Sequence, residues 1–194
     1  PPLDSSAASD VYKRQVGGNL AHNSAGPRAI KYGTPRENTL GLRAVSGCGE
    51  LLRTGVRTSK GVVGYDLTRL LIGSEGTLAV ITEATLKLTP LPAAKRTLQA
   101  VYSSIQAAAQ AVSTLMAQPL TPCVLEFMDG QAIRMVRDFA DLDLPGAAEA
   151  LLLIEVDGAE DAIEAVAQQV RQLAANSGCI QVILAETEQQ VAHL

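Results

Sequence analysis

The chain has no tryptophan, only four tyrosines and two phenylalanines, and just two histidines among its 194 residues. With so few rings to stack on bases, no cluster of Lys or Arg and a formal charge of −4, a nucleic-acid-binding surface is excluded. His22 and His193 stand near opposite ends, so no local histidine spacing builds a metal site. Cysteine is sparse too. Cys48, Cys123 and Cys179 form no C-x-x-C pair, and the odd count suits free thiols in a reducing compartment better than a disulfide framework. No apolar run approaches the ~20 residues of a membrane span, and no basic stretch followed by an apolar block opens the chain. No membrane span and a cytoplasmic setting are therefore expected. What is plentiful is apolar side chain, 47% of residues, with a mean hydropathy of +0.15, enough to core one large or two small domains.

One stretch organises the rest, Asp66 to Thr82. Asp66 caps a short helix with Leu67, Leu70 and Leu71 at i, i+3 and i+4, and Gly73 ends it where a positive φ costs least. Ser74, Glu75, Gly76 and Thr77 then offer bare N–H groups and small hydroxyls, the inventory that bonds phosphate oxygens or a heterocycle's edge. A strand follows, with Val80, Thr82, Ala84, Leu86 and Leu88 on one face and Ile81, Glu83, Thr85 and Lys87 on the other, ended by Pro90 and Pro92. The bland alternative is a plain helix-to-strand connection.

Pro1 to Gln15 show neither helical nor strand periodicity. The run Asp10 to Gln15 resembles a translated sequencing-adapter junction, so this leader is read as foreign to the fold. From Val16 the composition turns to Gly17-Gly18-Asn19-Leu20-Ala21-His22-Asn23-Ser24-Ala25-Gly26-Pro27, followed by Lys31-Tyr32-Gly33. This reads as a loop for close backbone approach, its amide and hydroxyl groups suited to an isoalloxazine or ribityl chain, with a disordered polar loop as the alternative. Thr39 to Ala44 and Glu50 to Thr54 are strand-like runs joined by Ser46-Gly47-Cys48-Gly49, a hairpin signal. Arg53, Arg57 and Lys60, near Gly55, Gly61 and Gly64, are read as solvated, an anion site being the alternative.

Past Pro92 the rhythm changes, and a boundary is placed near Ala93 to Arg96. A strand at Leu98 to Tyr102 precedes a helix over Ser104 to Gln118, with Ile105, Ala108, Ala109, Val112, Leu115 and Met116 on one stripe. Val124 to Phe127 is a strand, and Asp129 caps a second helix with Ala132, Ile133 and Val136 inward. Leu151 to Val156 is a strand, Glu160 to Asn176 a helix burying Ile163, Val166, Val170 and Leu173, Gly178 its C-cap, and Cys179 to Leu184 a strand. Taking the second helix as an insertion, the order predicts a ferredoxin-like split βαβ unit, an antiparallel sheet with helices on one face. Glu186 to Leu194 begin another helix, cut short by the chain's end.

The ordered motifs Gly17 to Pro27, Lys31-Tyr32-Gly33, Gly64-Tyr65-Asp66-Leu67, Gly73-Ser74-Glu75-Gly76-Thr77-Leu78 and Leu125-Glu126-Phe127-Met128-Asp129 resemble the FAD-linked oxidases of the vanillyl-alcohol oxidase and p-cresol methylhydroxylase superfamily. The likeness is nearest to the glycolate oxidase flavoprotein subunit and the D-lactate and D-2-hydroxyglutarate dehydrogenases, and it runs from about Val16 to Leu194. The fold it implies is α+β. Residues 1–15 are the leader, 16–95 the later part of an FAD-binding domain, and 96–194 the start of a cap domain over the flavin and substrate.

The resemblance implies FAD held by Gly17, Gly18, Asn19, His22, Asn23, Ser24 and Ala25 from one loop. Gly73, Glu75, Gly76, Thr77, Leu78, Val80 and Ile81 are the implied contacts from the other. It further implies a small-molecule 2-hydroxy acid substrate, such as glycolate or D-lactate, with iron–sulfur or other electron-transfer subunits as partners. The pyrophosphate loop is expected before Val16, and the substrate-binding Arg and His-rich catalytic segment after Leu194, so no catalytic or metal-binding residue is assigned within the chain. Val63 stands where the family has Thr, Gly61 where it has Asn, Cys48 where it has Asp and Ala79 where it has Gly. His22 replaces an acidic residue or Thr, and no covalent flavin link is assigned to it. An FAD enzyme of the alkylglycerone-phosphate synthase type, or a non-catalytic binding module, are the competing readings.

Overall fold

A computed structural model of the chain describes residues 15–56, 63–137, 144–185, 187, 190 and 191. The leader up to residue 14, the stretch with Arg57, Lys60 and Gly61, and most of Glu186 to Leu194 with His193 lie outside the described residues. Two compact units form, one from residues up to 26 together with 33–90, the other from 27–32 together with 91–194. The short segment Pro27 to Tyr32 thus falls with the second unit.

The first unit contains helix α1 (Val16–His22), strands β1 (Thr39–Ser46) and β2 (Leu51–Gly55), helix α3 (Leu67–Leu71) and strand β3 (Ala79–Leu86). The strands form one antiparallel sheet in the order β2-β1-β3. In the predicted hairpin Gly41 pairs with Gly55, and a Cβ on Gly55 would lie 2.1 Å from the Leu40 carbonyl oxygen, so the two backbones meet there only because both residues lack side chains. The β1–β3 register shifts between Arg43 and Ala44, which pair with Glu83 and Ile81, and the skipped Thr82 donates its hydroxyl to the Arg43 carbonyl at 3.1 Å.

Leu20, Leu42, Ala44, Leu71, Ile72 and Ala79 make this unit's core. The core draws on Ala79 and Ile81 of β3, whereas Val80 is 65% exposed and Leu86 is exposed as well. Asp66 caps α3 as predicted, its carboxylate accepting the Arg69 N–H at 2.9 Å. The buried stripe differs. Leu67 and Leu70 are exposed, and Thr68, whose hydroxyl bonds that of Thr54 at 2.8 Å, goes under with Leu71.

The run read as a loop from Gly17 to Gly26 is a helix over its first part. Glycine opposes helix, but burying Leu20 against the sheet outweighs that propensity, and Asn23, left-handed at φ 53°, closes α1 by donating its N–H to the Leu20 carbonyl.

The second unit runs α2 (Ala29–Tyr32), β4 (Ala94–Tyr102), α4 (Ile105–Met116), β5 (Val124–Asp129), α5 (Gly130–Arg137), β6 (Ala150–Gly158), α6 (Ile163–Ala174) and β7 (Cys179–Leu184). The sheet order β5-β6-β4-β7, every pair antiparallel, is the ferredoxin-like arrangement predicted from the order of elements. Alternation along β4 and β6 sends Leu98, Ala100, Tyr102, Leu152, Ile154 and Val156 into one core with α4 and α6. Helix α5, the predicted insertion, lies apart from α4 and α6. Ile133 packs with Val101 and Leu151, which alternation places on the opposite face of the sheet.

The stripe on α4 is also narrower than predicted, with Ala108, Ala111 and Leu115 buried and Ile105 and Met116 exposed, because small residues let α4 approach α6 closely. Gly178 is not a C-cap, since α6 ends at Ala174. A Cβ on Gly178 would lie 2.3 Å from Ala107 Cβ, so its role is close packing beneath α4.

Candidate cofactor site

In the first unit the two donor-rich stretches converge. The Gly73 N–H donates to the Leu20 carbonyl at 3.1 Å and the Glu75 N–H to the Ala21 carbonyl at 2.9 Å, so the turn after α3 is hydrogen-bonded to the last turn of α1. A Cβ built on Gly17 would lie 3.7 Å from the Ile81 carbonyl oxygen, which brings the start of α1 against β3. Residues distant in sequence form one edge of the unit because α1's terminal carbonyls, unpaired within the helix, are satisfied by the turn's amides.

The backbone here is unusual. Asn23, Gly73, Glu75 and Gly76 have φ values of 53°, 83°, 51° and 77°, all left-handed, and left-handed residues turn their N–H groups outward in concave arrays suited to anions. The Gly76 N–H has no hydrogen-bond partner among the described residues. Cβ atoms built on Gly18 or Gly76 would meet nothing within 4 Å, so open space stands in front of both.

The predicted site residues divide by what they do. Gly18, Asn19, His22, Ser24, Ala25, Gly73, Glu75, Gly76, Thr77, Leu78 and Val80 are exposed at this edge. Asn23 and Ile81 hold it together, Asn23 accepting the Arg36 N–H at 3.1 Å and Ile81 packing on the core, and the exposed Thr77 also donates its hydroxyl to the Ser74 carbonyl at 2.6 Å. His22 Nδ1 lies 3.0 Å from Glu75 Oε1, two well-exposed side chains joining the stretches from their outer side.

With that geometry in place, the comparisons with known proteins are specific. Residues 91–194 match the family model described as FAD linked oxidases, C-terminal domain, more than half of the chain. The chain belongs to the FAD-linked oxidases. The glycolate oxidase subunit GlcD of Bacillus subtilis is 43% identical over 175 residues, covering 90% of this chain and 37% of that protein. The D-lactate dehydrogenase of Anaerostipes hadrus is 35% identical over 179 residues, covering 89% and 38%. The chain thus spans little more than a third of the length of these curated relatives. A solved alkyldihydroxyacetonephosphate synthase superposes with a TM-score of 0.68 at 21% identity, covering 90% of this chain and 34% of that one, and shows that the fold is shared.

Two sets of residues in this FAD-linked oxidase escaped sequence reasoning. The first is Arg36, whose guanidinium donates to the Ile72 carbonyl at 2.9 Å while its backbone N–H holds Asn23. Nothing in its surroundings, a Pro before and a Glu after, marks it. The second lies on β6 in the second unit. The Asp157 side chain, 1% exposed, accepts from Lys31 Nζ and, at 2.5 Å, from the Tyr32 hydroxyl, and Lys31 also reaches the Asp157 carbonyl at 2.9 Å. Burial alone would raise the Asp157 carboxyl, but hydrogen bonds from Lys31, Tyr32 and Cys123 outweigh it and hold the group below its ordinary value. Tyr32 is pushed up to about 12, chiefly by that hydrogen bond, and Cys123 up to about 11 by burial and then by Asp157. The motif Lys31-Tyr32-Gly33 was the available signal, but its partner stands 125 positions from Tyr32.

Proposed function

We propose that the chain is part of an FAD-dependent oxidoreductase that oxidises a 2-hydroxy acid. The observation carrying this reading is the convergence of the Gly17–Ala25 and Gly73–Ile81 stretches, tied by the Gly73 and Glu75 amides to α1's carbonyls. Open space before Gly18 and Gly76, an unpaired Gly76 N–H and left-handed backbone fit a dinucleotide held by main-chain donors. Gly18, Asn19, Ser24, Ala25, Glu75, Gly76, Thr77 and Leu78 would line that contact, with His22 at its rim. FAD, when bound, supplies the hydride-accepting chemistry. The chain's own residues bind and orient it.

Support for the substrate class comes from the relatives' names, since glycolate and D-lactate are both 2-hydroxy acids. On this reading residues 16–95 are the later part of the FAD-binding domain and 96–194 the beginning of the cap. The word subunit in the Bacillus relative's name supports further subunits as partners, which on this reading are electron-transfer proteins. Among the described residues no helix is long and apolar enough to cross a membrane. The synthase fold supports a second reading, FAD-dependent transfer chemistry, by architecture alone.

The test uses the protein containing these residues, purified and titrated with FAD, then offered glycolate and D-lactate with a redox dye. Flavin absorbance that bleaches with either acid is expected. Gly76→Val should remove the bound flavin, because a β-branched side chain opposes the left-handed backbone and fills the open space. A folded Gly76→Val protein that keeps its flavin absorbance would sink the reading.

A further inference from the structure

Between Gly26 and Gly33 the chain leaves the first unit for the second and returns to it. Pro27 to Tyr32 therefore fix, by covalent continuity, the far end of the stretch Asn23 to Gly26 that carries candidate cofactor contacts. The near end is already held, by the left-handed Asn23, by the Ser24 N–H donating to the Asn19 carbonyl at 3.1 Å, and by the Arg36 N–H on the Asn23 side chain.

The grip on the far end is built from two periodicities that match. In α2 the N–H of Tyr32 reaches the Arg28 carbonyl at 3.0 Å, which sets Arg28, Lys31 and Tyr32 at i, i+3 and i+4 on one face. On β6, Glu155 and Asp157 are two residues apart and so share the face turned away from the helix core that holds Ile154 and Val156. Arg28 lies 3.5 Å from Glu155, while Lys31 and Tyr32 both bond Asp157. Glu155 is further held by the Thr97 hydroxyl at 3.2 Å and by Lys95 at 3.6 Å. Most surface ion pairs share a carboxylate with water, but the Asp157 side chain is all but sealed, so its donors are held to one geometry.

We propose that Asp157 is a positioning residue for the FAD site: by fixing Lys31 and Tyr32 it sets where the Ser24–Gly26 contact stretch ends. The inference rests on the functional reading above and adds to it a residue of the second unit that does not itself touch the cofactor. Slackening the anchor lets the stretch sample positions from which its amides miss their acceptors, and affinity falls by the fraction of time spent there.

The experiment takes the FAD-loaded protein containing these 194 residues and measures, for wild type, Tyr32→Phe and Asp157→Asn, the FAD dissociation constant, the flavin absorption spectrum and the melting temperature without cofactor. Tyr32→Phe removes the hydroxyl donor and leaves the Lys31 pair in place. It should weaken FAD binding about threefold to tenfold, while the cofactor-free protein stays folded with a melting temperature lowered only by the loss of that one hydrogen bond. Asp157→Asn should weaken binding at least tenfold and shift the flavin bands, and Lys31→Arg, which keeps the charge, should fall between it and wild type. If both Tyr32→Phe and Asp157→Asn fold and hold FAD with unchanged affinity and spectrum, Asp157 is structural only and the inference is overturned. A wild-type protein that takes up no FAD overturns the functional reading instead, and the two failures are told apart in one titration.

Discussion

Gly73 and Gly76 stand three residues apart in the same turn, and both are left-handed, but alanine at each should have very different consequences. At Gly76 a Cβ meets nothing within 4 Å, so Gly76→Ala costs only the left-handed strain, roughly 1–2 kcal/mol. At Gly73 the new Cβ would fall 2.9 Å from Arg36 Nη2 and 3.3 Å from Asn23 Cβ. The guanidinium must move, giving up its bond to the Ile72 carbonyl, and a hydrogen bond from a charged donor is worth a further ~1.5–3 kcal/mol. The total of about 3–5 kcal/mol is a large fraction of the stability of any small unit. Thermal unfolding of the chain followed by circular dichroism reads the difference. For a unit of this size Gly73→Ala should melt about 10 °C below Gly76→Ala. Arg36→Ala supplies the control: in that background the cost of Gly73→Ala should fall toward that of Gly76→Ala, since only the longer approach to Asn23 Cβ remains. Equal melting temperatures for the two glycine variants, or no coupling to Arg36, would refute the reasoning.

Tyr102, fully buried, donates its hydroxyl to the Ala174 carbonyl at 2.9 Å, so Tyr102→Phe should lower the stability of the second unit by roughly 1–2 kcal/mol, and an unmoved urea midpoint would contradict that. Asp157 carries a pH dependence. Its carboxyl is held lower in the folded chain than in the unfolded one, so its contribution is fully present above the unfolded value and is lost as pH falls through the folded value. Urea midpoints of wild type and Asp157→Asn should therefore differ at neutral pH and draw together below the ordinary carboxylate range, and a gap that does not close on acidification would count against the pairing.

Much of the second unit was legible because its signals are local. Asp129 before α5 and Ser104 before α4 make the caps their residue types suggest, with the Ala132 N–H at 2.8 Å and the Ala107 N–H at 3.2 Å, and the helical stripes named Ala108, Leu115, Ile163 and Val170 of the core. The side of the sheet that α5 covers was not legible, since an amphipathic helix says only that it has a face. In the first unit, glycines at 17 and 18 hid a helix whose stability comes from burying Leu20, a tertiary contact that no window over the segment contains. Thr68 went inward because Thr54 waits there, a partner on strand β2. The candidate site was half visible: donor-rich turns announce themselves by composition, whereas Arg36 and Asp157 act through partners far along the chain.

Strand β3 is an edge strand in the order β2-β1-β3, and Val80, Ala84 and Leu86 are exposed along it, with Leu88 and Leu91 exposed just beyond it. Along its length Glu83 is the only charged residue, and no proline or lysine interrupts it. Natural sheets usually guard such an edge, because an open row of amides beside apolar side chains is a template for another strand. For the isolated chain, concentration becomes a hazard: two copies can add strand to strand along β3, and acidification toward the isoelectric point near 5.2 removes the charge repulsion that keeps them apart.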